Sequence, residues 1–213
     1  YWRPTDGCDT PTILFGGNSV SNQFLTDKSL NLEAAFFGFA LDAASGFAEP
    51  GVQPHYAPDR GYILRHIDLS LVIDPEAKTL TGEAKLRIEP LPVGMGEVMF
   101  DFDDLDIDAV VNESGKALKF SESDGQLRIK GVNPTGETIT ITWHGNPTRG
   151  LYFTGPTAAD PDRSPMAWSQ CQDEDAHYFF PCIDHPSTKC TWSMSFTVPD
   201  GMQAIGNGRF AGQ

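Results

Sequence analysis

Residues 80–89 read LTGEAKLRIE, and this stretch decides the fold. Its apolar and small residues alternate strictly with polar ones, which is the period of a β-strand with one buried and one solvated face. A similar alternation occupies residues 62–73, and the DPEAK sequence at residues 74–78 has the composition of a turn. The two segments therefore predict a long antiparallel hairpin with one wet face.

Shorter segments of the same character follow the hairpin. Gly and Pro separate them at intervals of about ten residues, a rhythm typical of a β-sandwich or a curled sheet. The predicted strands are residues 97–102, 107–111, 117–120, 126–129, 137–143, 150–153, 166–172 and 190–198. We therefore expect an all-β fold over residues 56–213, with curled antiparallel or mixed sheets in a saddle-shaped, sandwich-like domain.

Residues 1–55 differ from the rest and are treated as a separate segment. Their first part is rich in Gly, Thr, Asn and Pro and predicts loop structure. Apolar residues at roughly helical spacing indicate a helix over residues 30–41, and a group of phenylalanines implies burial against another surface. These are Phe36, Phe37, Phe39 and Phe47. We expect an irregular or partly helical segment that ends in a linker near residues 49–58.

The overall charge excludes several classes of partner. The 213 residues carry a formal net charge of −14. Nucleic acids and anionic membrane surfaces both require a basic face, so neither is an expected partner. No apolar run approaches the ~20 residues of a membrane span. We expect a soluble, cytoplasmic protein, with a secreted or periplasmic one as the alternatives.

An acidic run at residues 101–108, DFDDLDID, raises the question of a calcium site. Its carboxylates lack the spacing of an EF-hand loop, and the glycine that turns such a loop is missing. We therefore interpret the run as a solvated strand edge.

A group of thiols and imidazoles raises the question of a zinc site. Cys171, Cys182 and Cys190 lie close together in the sequence, interleaved with His177 and His185. Thiolates and imidazoles are zinc ligands, but the close Cys-x-x-Cys pair that structural zinc uses is absent. Cys190 also falls on the apolar face of the last predicted strand. Buried, reduced thiols are the expectation, with no metal bound by this chain.

Two short motifs carry the strongest functional signal. Residues 169–172 read SQCQ, and residues 181–186 read PCIDHP. Gln170 and Gln172 each offer a carbonyl acceptor and an amide donor, which suits a ligand that carries an amine and a peptide group. The second motif predicts a rigid turn, because prolines fix φ and Asp184 can cap its own turn. The alternative for both glutamines is a strand-end polar group bonded to nearby backbone.

Together these motifs resemble the N-terminal domain of the M1 (gluzincin) zinc aminopeptidases, the group that includes leukotriene A4 hydrolase. The resemblance runs from about residue 62 to residue 208. It also includes the sequences LTG at residues 80–82, GLYF at residues 150–153 and IGNG at residues 205–208. The chain departs from the family at His177, where an arginine is common, and at His185, within a triplet that is Asp-Glu-Pro in most members.

The resemblance implies roles for the two glutamines. Gln172 occupies the position of the Glu or Gln that binds the α-ammonium of the substrate, and Gln170 that of the Gln lying along the substrate near the scissile bond. A Gln at position 172 places the chain on the leukotriene A4 hydrolase side of the family. The implied function is recognition of a peptide's N-terminus by a zinc metallo-aminopeptidase.

The catalytic motifs of that family are absent from the 213 residues. These are His-Glu-x-x-His with a second glutamate as zinc ligands, and a Gly-x-Met-Glu-Asn strand. We therefore expect no catalytic residue here and no activity of this chain alone. Zinc would be bound by a missing catalytic domain, and the catalytic and C-terminal domains of the same enzyme would be its partners.

The alternative is a non-catalytic β-sandwich module that binds a partner, because a fold does not determine a function. Such a module should present exposed aromatic side chains on a sheet face. The peptidase interpretation instead places polar glutamines at an interdomain edge.

Overall fold

The computed structural model describes residues 60–91 and 96–212. The predicted helix, the phenylalanine group and the linker before residue 60 lie outside the described residues. The all-β class is confirmed, because the regular elements of the described part are strands and one short 3-10 helix. No helix in this part of the chain is long and apolar enough to cross a bilayer.

The strands follow the predicted pattern closely. They are β1 (Tyr62–Asp74), β2 (Thr79–Pro90), β3 (Glu97–Asp101), β4 (Asp106–Asn112), β5 (Lys119–Ser123), β6 (Gln126–Lys130), β7 (Glu137–Gly145), β8 (Leu151–Thr154), β9 (Met166–Ser169) and β10 (Thr191–Thr197). The 3-10 helix, Ala176–Tyr178, lies between β9 and β10 and was not predicted.

The strands form three sheets. A five-stranded sheet has the order β10-β1-β2-β7-β4, a three-stranded sheet the order β3-β6-β5, and β8 pairs with β9 alone. The predicted hairpin is confirmed, since β1 and β2 are antiparallel with Leu69 opposite Ala84. β10 runs parallel to β1 at the edge of the large sheet, which makes that sheet mixed.

One apolar core joins the inner faces of the two larger sheets. The alternation that predicted the hairpin is the alternation of burial along β2, where every second residue from Leu80 to Ile88 is buried. Residues with 0% exposure come from both sheets: Ala84, Leu86, Val98, Phe100, Leu127, Ile129, Ile139, Ile141 and Trp143. Burying one such large side chain stabilises the fold by roughly 1.5–3 kcal/mol.

Gly82 makes room for the largest buried side chain. A Cβ atom at position 82 would lie 2.2 Å from Cζ2 of Trp143, its cross-strand neighbour on β7. The indole cannot move away easily, because its Nε1 donates a 3.0 Å hydrogen bond to the carbonyl oxygen of Phe179. Phe179 follows the 3-10 helix directly. The close approach of Gly82 and Trp143 therefore links the large sheet to the segment that carries the candidate site.

We predict that Gly82→Ala lowers the free energy of unfolding by about 1–3 kcal/mol, because it overpacks a filled site. Gly155→Ala is the matched control, since a Cβ there would have one ordinary neighbour, the Cα of Pro165 at 3.8 Å. Urea denaturation of both variants measures the difference. Equal stability of the two variants would contradict the proposed role of Gly82.

Candidate functional site

The two glutamines lie just beyond the end of β9. The prediction of a strand reaching residue 172 is wrong after Ser169, because the partner strand β8 begins only at Leu151. The Gln170 N–H still donates to the carbonyl oxygen of Gly150 at 2.9 Å, and Gln172 then enters a turn. The N–H of Asp175 closes this turn on the carbonyl oxygen of Cys171 at 3.1 Å.

Both glutamine side chains are exposed. Within residues 60–91 and 96–212, neither side-chain amide of Gln170 or Gln172 makes a hydrogen bond to the protein. The alternative of a strand-end group bonded to nearby backbone is therefore not what the described residues adopt. Two free amides stand two residues apart on one loop, whose peptide bond between Gln172 and Asp173 is cis.

Gly150 fixes the start of this loop. Its φ is +71°, in the left-handed region, and a Cβ there would lie 2.0 Å from the carbonyl oxygen of Asp175. Only glycine accepts both the conformation and the close approach. The turn from Cys171 to Asp175 therefore packs directly on the backbone that precedes β8.

Arg149 adds a second attachment at the same place. One guanidinium nitrogen donates to Asp175 Oδ1 at 2.8 Å, and the other donates to the hydroxyl of Tyr178 at 2.7 Å. Its Cζ also lies 4.1 Å from the centre of the Tyr178 ring. The arginine thus ties the glutamine-bearing turn to the 3-10 helix that follows.

Asp184 holds that 3-10 helix from the other side. The expectation that Asp184 caps its own turn is wrong. Its Oδ2 accepts hydrogen bonds from the backbone N–H of His177 at 3.0 Å and from His177 Nδ1 at 2.7 Å. Asp184 bonds there because the 3-10 helix has no side-chain cap at its N-terminus. The N–H of His177 therefore needs an acceptor from outside the helix.

The same pair changes the titration of the imidazole. Burial alone would lower the pKa of His177, but the hydrogen bond and the negative charge of Asp184 outweigh it and raise the pKa above its ordinary 6.5. The carboxylates of Asp101 and Asp103 act in the same direction. The protonated imidazole is therefore the favoured partner of Asp184 up to a higher pH than in an isolated histidine.

Asp101 connects the site to the core, and the interpretation of residues 101–108 as a solvated edge is wrong at this position. Both carboxylate oxygens of Asp101 accept from Arg60 Nη2, at 2.7 and 2.8 Å, and the arginine side chain is only 4% exposed. Oδ2 also accepts from the N–H of Asp184 at 2.9 Å. Asp101 and Cys182 further exchange two backbone hydrogen bonds, at 2.8 and 3.2 Å.

Arg60, Asp101 and Arg149 are the structural residues of the site that the sequence did not single out. Arg60 lies next to the linker-like segment, and Asp101 is hidden in an acidic run. Arg60 itself could have indicated an ion pair in the sequence. It precedes a strongly apolar strand, and a buried guanidinium requires a carboxylate partner.

Cys171, Cys182 and Cys190 line a common cavity of about 280 Å³ beside the turn formed by residues 171–175. Burial raises the pKa of Cys171 to about 11, and it raises the pKa of the fully enclosed Cys182 well above the ordinary thiol value. The prediction of buried thiols holds for Cys182 alone, because Cys171 and Cys190 are partly buried residues at the margin of the core. A raised thiol pKa disfavours the thiolate, which is the form that reacts and binds metals.

The described residues do not fit a zinc ion. In that part of the chain, no three His, Cys, Asp or Glu side chains are placed to hold a metal together. His177 Nδ1 is already bonded to Asp184. The zinc implied by the family resemblance is therefore not assigned to this cluster.

Comparison with known proteins identifies the family. The peptidase M1 N-terminal domain model matches residues 52–211, which is most of the chain. The chain belongs to that family. This M1 N-terminal domain carries its two glutamines and its Pro-Cys turn within the matched region.

Relatives include enzymes and one protein named for another role. Leucine aminopeptidase 2 of Phaeosphaeria nodorum is 29% identical over 155 residues, which cover 68% of this chain and 25% of the relative. Transcription initiation factor TFIID subunit 2 of Drosophila melanogaster is 31% identical over 109 residues, covering 43% of this chain and 9% of the relative. The M1 N-terminal domain thus spans about a quarter or less of these proteins.

Solved structures support the same fold. The native leukotriene A4 hydrolase of Saccharomyces cerevisiae matches with a TM-score of 0.59 and 22% sequence identity. The match covers 71% of this chain and 26% of the hydrolase chain. The all-β architecture of the M1 N-terminal domain is therefore common to both proteins.

We predict that Asp101→Asn destabilises the chain by about 3–5 kcal/mol, because it leaves the buried Arg60 charge without its partner. Glu89→Gln is the matched control. Glu89 pairs with Arg65 at 2.6 Å, but both side chains are half-exposed, so this substitution should change stability little. Urea denaturation at pH 7 compares the two variants, and an equal effect would contradict the central role of Asp101.

We also predict that the dialysed chain holds no stoichiometric zinc. The raised pKa values of Cys171 and Cys182 keep both thiols protonated at neutral pH, so alkylation by iodoacetamide should be slow until the chain is denatured. Elemental analysis and timed alkylation check both parts. About one tightly held zinc per chain would overturn our interpretation of the cluster.

Proposed function

We propose that this chain is the substrate-recognition domain of a zinc metallo-aminopeptidase that removes N-terminal amino acids from peptides. The observation that supports it is the pair of exposed side-chain amides of Gln170 and Gln172, which have no hydrogen-bond partner among the described residues and lie on a turn attached at both ends. Membership of the M1 N-terminal domain family supports a peptide as the ligand of these amides.

The chemistry of an amide suits the N-terminus of a peptide. The Gln172 side-chain oxygen accepts a hydrogen bond from the substrate ammonium, and the Gln170 amide pairs with the first peptide group as donor and acceptor. The net charge of −14 favours the approach of a cationic end. Binding the ammonium in the transition state favours aminopeptidase over endopeptidase action, because internal peptide groups carry no such charge.

In this proposal, zinc and its activated water belong to a separate catalytic domain, which together with the C-terminal domain is the structural partner of this chain. The 213 residues contain no His-Glu-x-x-His, so the chain alone should not hydrolyse aminoacyl substrates. Expression to the end of the natural reading frame tests this division. The longer protein should bind zinc and release N-terminal residues, and the 213-residue chain should do neither.

We predict that Gln172→Ala lowers kcat/KM of the longer protein for aminoacyl substrates by about 5- to 150-fold. This corresponds to the roughly 1–3 kcal/mol that an unpaired polar group costs once it is desolvated. Gln172→Glu should retain or improve hydrolysis, since a charge-assisted hydrogen bond is about twice as strong as a neutral one.

Two controls accompany this measurement. Gln203→Ala makes the same substitution at another exposed position, and Lys85→Ala removes an exposed charge from the outer face of β2. Both should leave kcat/KM nearly unchanged. Loss of activity in a control, with none in Gln172→Ala, would show that Gln172 is not the substrate anchor.

A non-catalytic binding module is the second candidate, and one feature favours it. Trp168 is 46% exposed and stacks on Tyr152 of the neighbouring strand, with ring centres 4.9 Å apart. Exposed aromatic pairs on a sheet face bind peptides and other planar ligands. The 31% identity to a TFIID subunit extends this candidate to a role in protein assembly.

The two candidates differ in what the longer protein does. A binding module predicts that Trp168→Ala abolishes partner capture while zinc and hydrolysis are absent from the longer protein. The peptidase proposal predicts bound zinc, hydrolysis and a strong effect of Gln172→Ala.

A further inference from the structure

Two facing segments meet beside the glutamines. We call residues 170–175 the glutamine loop and residues 181–186 the proline turn. The 3-10 helix Ala176–Tyr178 joins them, so the position of the loop depends on how this helix rests against the turn. Two histidine–carboxylate pairs connect these segments. In one, His177 of the 3-10 helix faces Asp184 of the proline turn, and in the other, His185 of the proline turn faces Glu174 of the glutamine loop.

The first pair is His177 with Asp184. Its 2.7 Å separation is that of a strong charge-assisted hydrogen bond, and the two side chains are 17% and 11% exposed. Asp184 is itself held in place, since its N–H donates to Asp101 Oδ2 at 2.9 Å. The imidazole therefore bonds to an anchored carboxylate rather than to a mobile one.

The second pair is His185 with Glu174. His185 Nε2 lies 4.0 Å from Glu174 Oε1, with side-chain exposures of 14% and 25%. The other ring nitrogen of His185 lies 2.8 Å from Ser187 Oγ, which orients the ring. Glu174 is two residues from Gln172, so this contact also lies between the glutamine loop and the proline turn.

The groups that face His177 are mostly acidic. Asp184 faces it from the proline turn, and Asp101 and Asp103 act on it from the end of β3 and the loop beyond. The N–H of Asp103 donates to the carbonyl oxygen of His177 at 3.2 Å. On its own element, His177 lies against the ring of Tyr178, with centroids 4.1 Å apart, and Arg149 is bonded to that tyrosine.

The direction of the pH effect follows from this environment. The pKa of His177 is raised in the folded chain relative to 6.5. A raised pKa means that the protonated imidazole stabilises the folded arrangement. This contribution is fully present below about pH 6.5 and is lost as the pH rises through the folded pKa.

We propose that His177 and Asp184 form a positioning pair that makes the placement of the glutamine loop depend on pH. For its effect on substrate affinity, this inference rests on the proposed function. The protonated imidazole of His177 holds the loop on the proline turn through Asp184. Deprotonation of His177 leaves a neutral and weaker hydrogen bond at Asp184, so the loop loosens and Gln172 loses its fixed position.

Nuclear magnetic resonance on the 213-residue chain tests the coupling without any activity. Between pH 5.5 and 9, the backbone amides of residues 170–175 should shift with the same midpoint as the imidazole of His177. His177→Arg keeps a permanent cation opposite Asp184 and should remove that titration of the loop. Asp184→Asn should move the His177 midpoint downwards. Loop amides that ignore the His177 midpoint would overturn the inference.

The kinetic arm uses the longer protein and the ratio of kcat/KM between the wild type and His177→Arg. This ratio cancels the titration of the substrate amine and of every group outside the pair. It should fall by about three- to tenfold as the pH rises through the His177 midpoint, because a charge-assisted hydrogen bond to Asp184 becomes a weaker neutral one. His177→Gln, which is neutral at all pH values, should resemble the wild type at high pH.

The two arms separate this inference from the proposed function. If Gln172→Ala lowers kcat/KM but the ratio between wild type and His177→Arg does not change with pH, the positioning role of His177 and Asp184 is wrong. The role of Gln172 as substrate anchor then stands. If the loop amides follow His177 but Gln172→Ala has no kinetic effect, the coupling is real and the proposed function fails.

Discussion

The buried ion pair between Arg60 and Asp101 is the interaction on which the rest of the structure depends. It joins Arg60, two residues before the start of β1 at Tyr62, to the end of β3, and so ties the five-stranded sheet to the three-stranded one. A charged pair out of water gains stability from hydrogen bonds to its remaining polar groups. Asp101 also accepts from the N–H of Asp184, and Arg60 Nη1 donates to the carbonyl oxygen of Met99, whereas Arg60 Nε has no partner among the described residues. The hydrogen bond from the N–H of Asp184 to the Asp101 carboxylate thereby fixes the proline turn.

From that turn the order of attachment leads outward to the glutamines. Asp184 holds His177, and Arg149 and Gly150 hold Asp175 from the opposite side. The contact between Arg149 and Asp175 spans 26 residues of sequence, so the loop keeps its shape only in the folded domain. The exposed amides sit at the end of this sequence of contacts and take no part in it.

The sequence predicts the strands well because alternation is a local property. The hairpin β1–β2 and the outlines of the later strands follow from periodicity alone. It does not predict the partner of Arg60, the role of Asp184 or the end of β9. These depend on which distant residues meet, and a carboxylate that pairs with a buried cation looks the same in the sequence as one in water. The two glutamines were found through a motif, and their exposure was not predictable from it.

Ionic and neutral groups occupy different places around the glutamine loop. Charged pairs lie beneath the loop, where partial burial strengthens them, while the exposed glutamine side chains are neutral amides. A neutral amide can stay exposed without a counter-ion and without disturbing the carboxylates below it. Because the turn is already fixed at both ends, little backbone conformational entropy remains to be lost if a ligand binds, and the cost is mainly that of ordering the two glutamine side chains. The affinity of such a site therefore depends more on how firmly the loop is held than on the strength of any single hydrogen bond to the ligand.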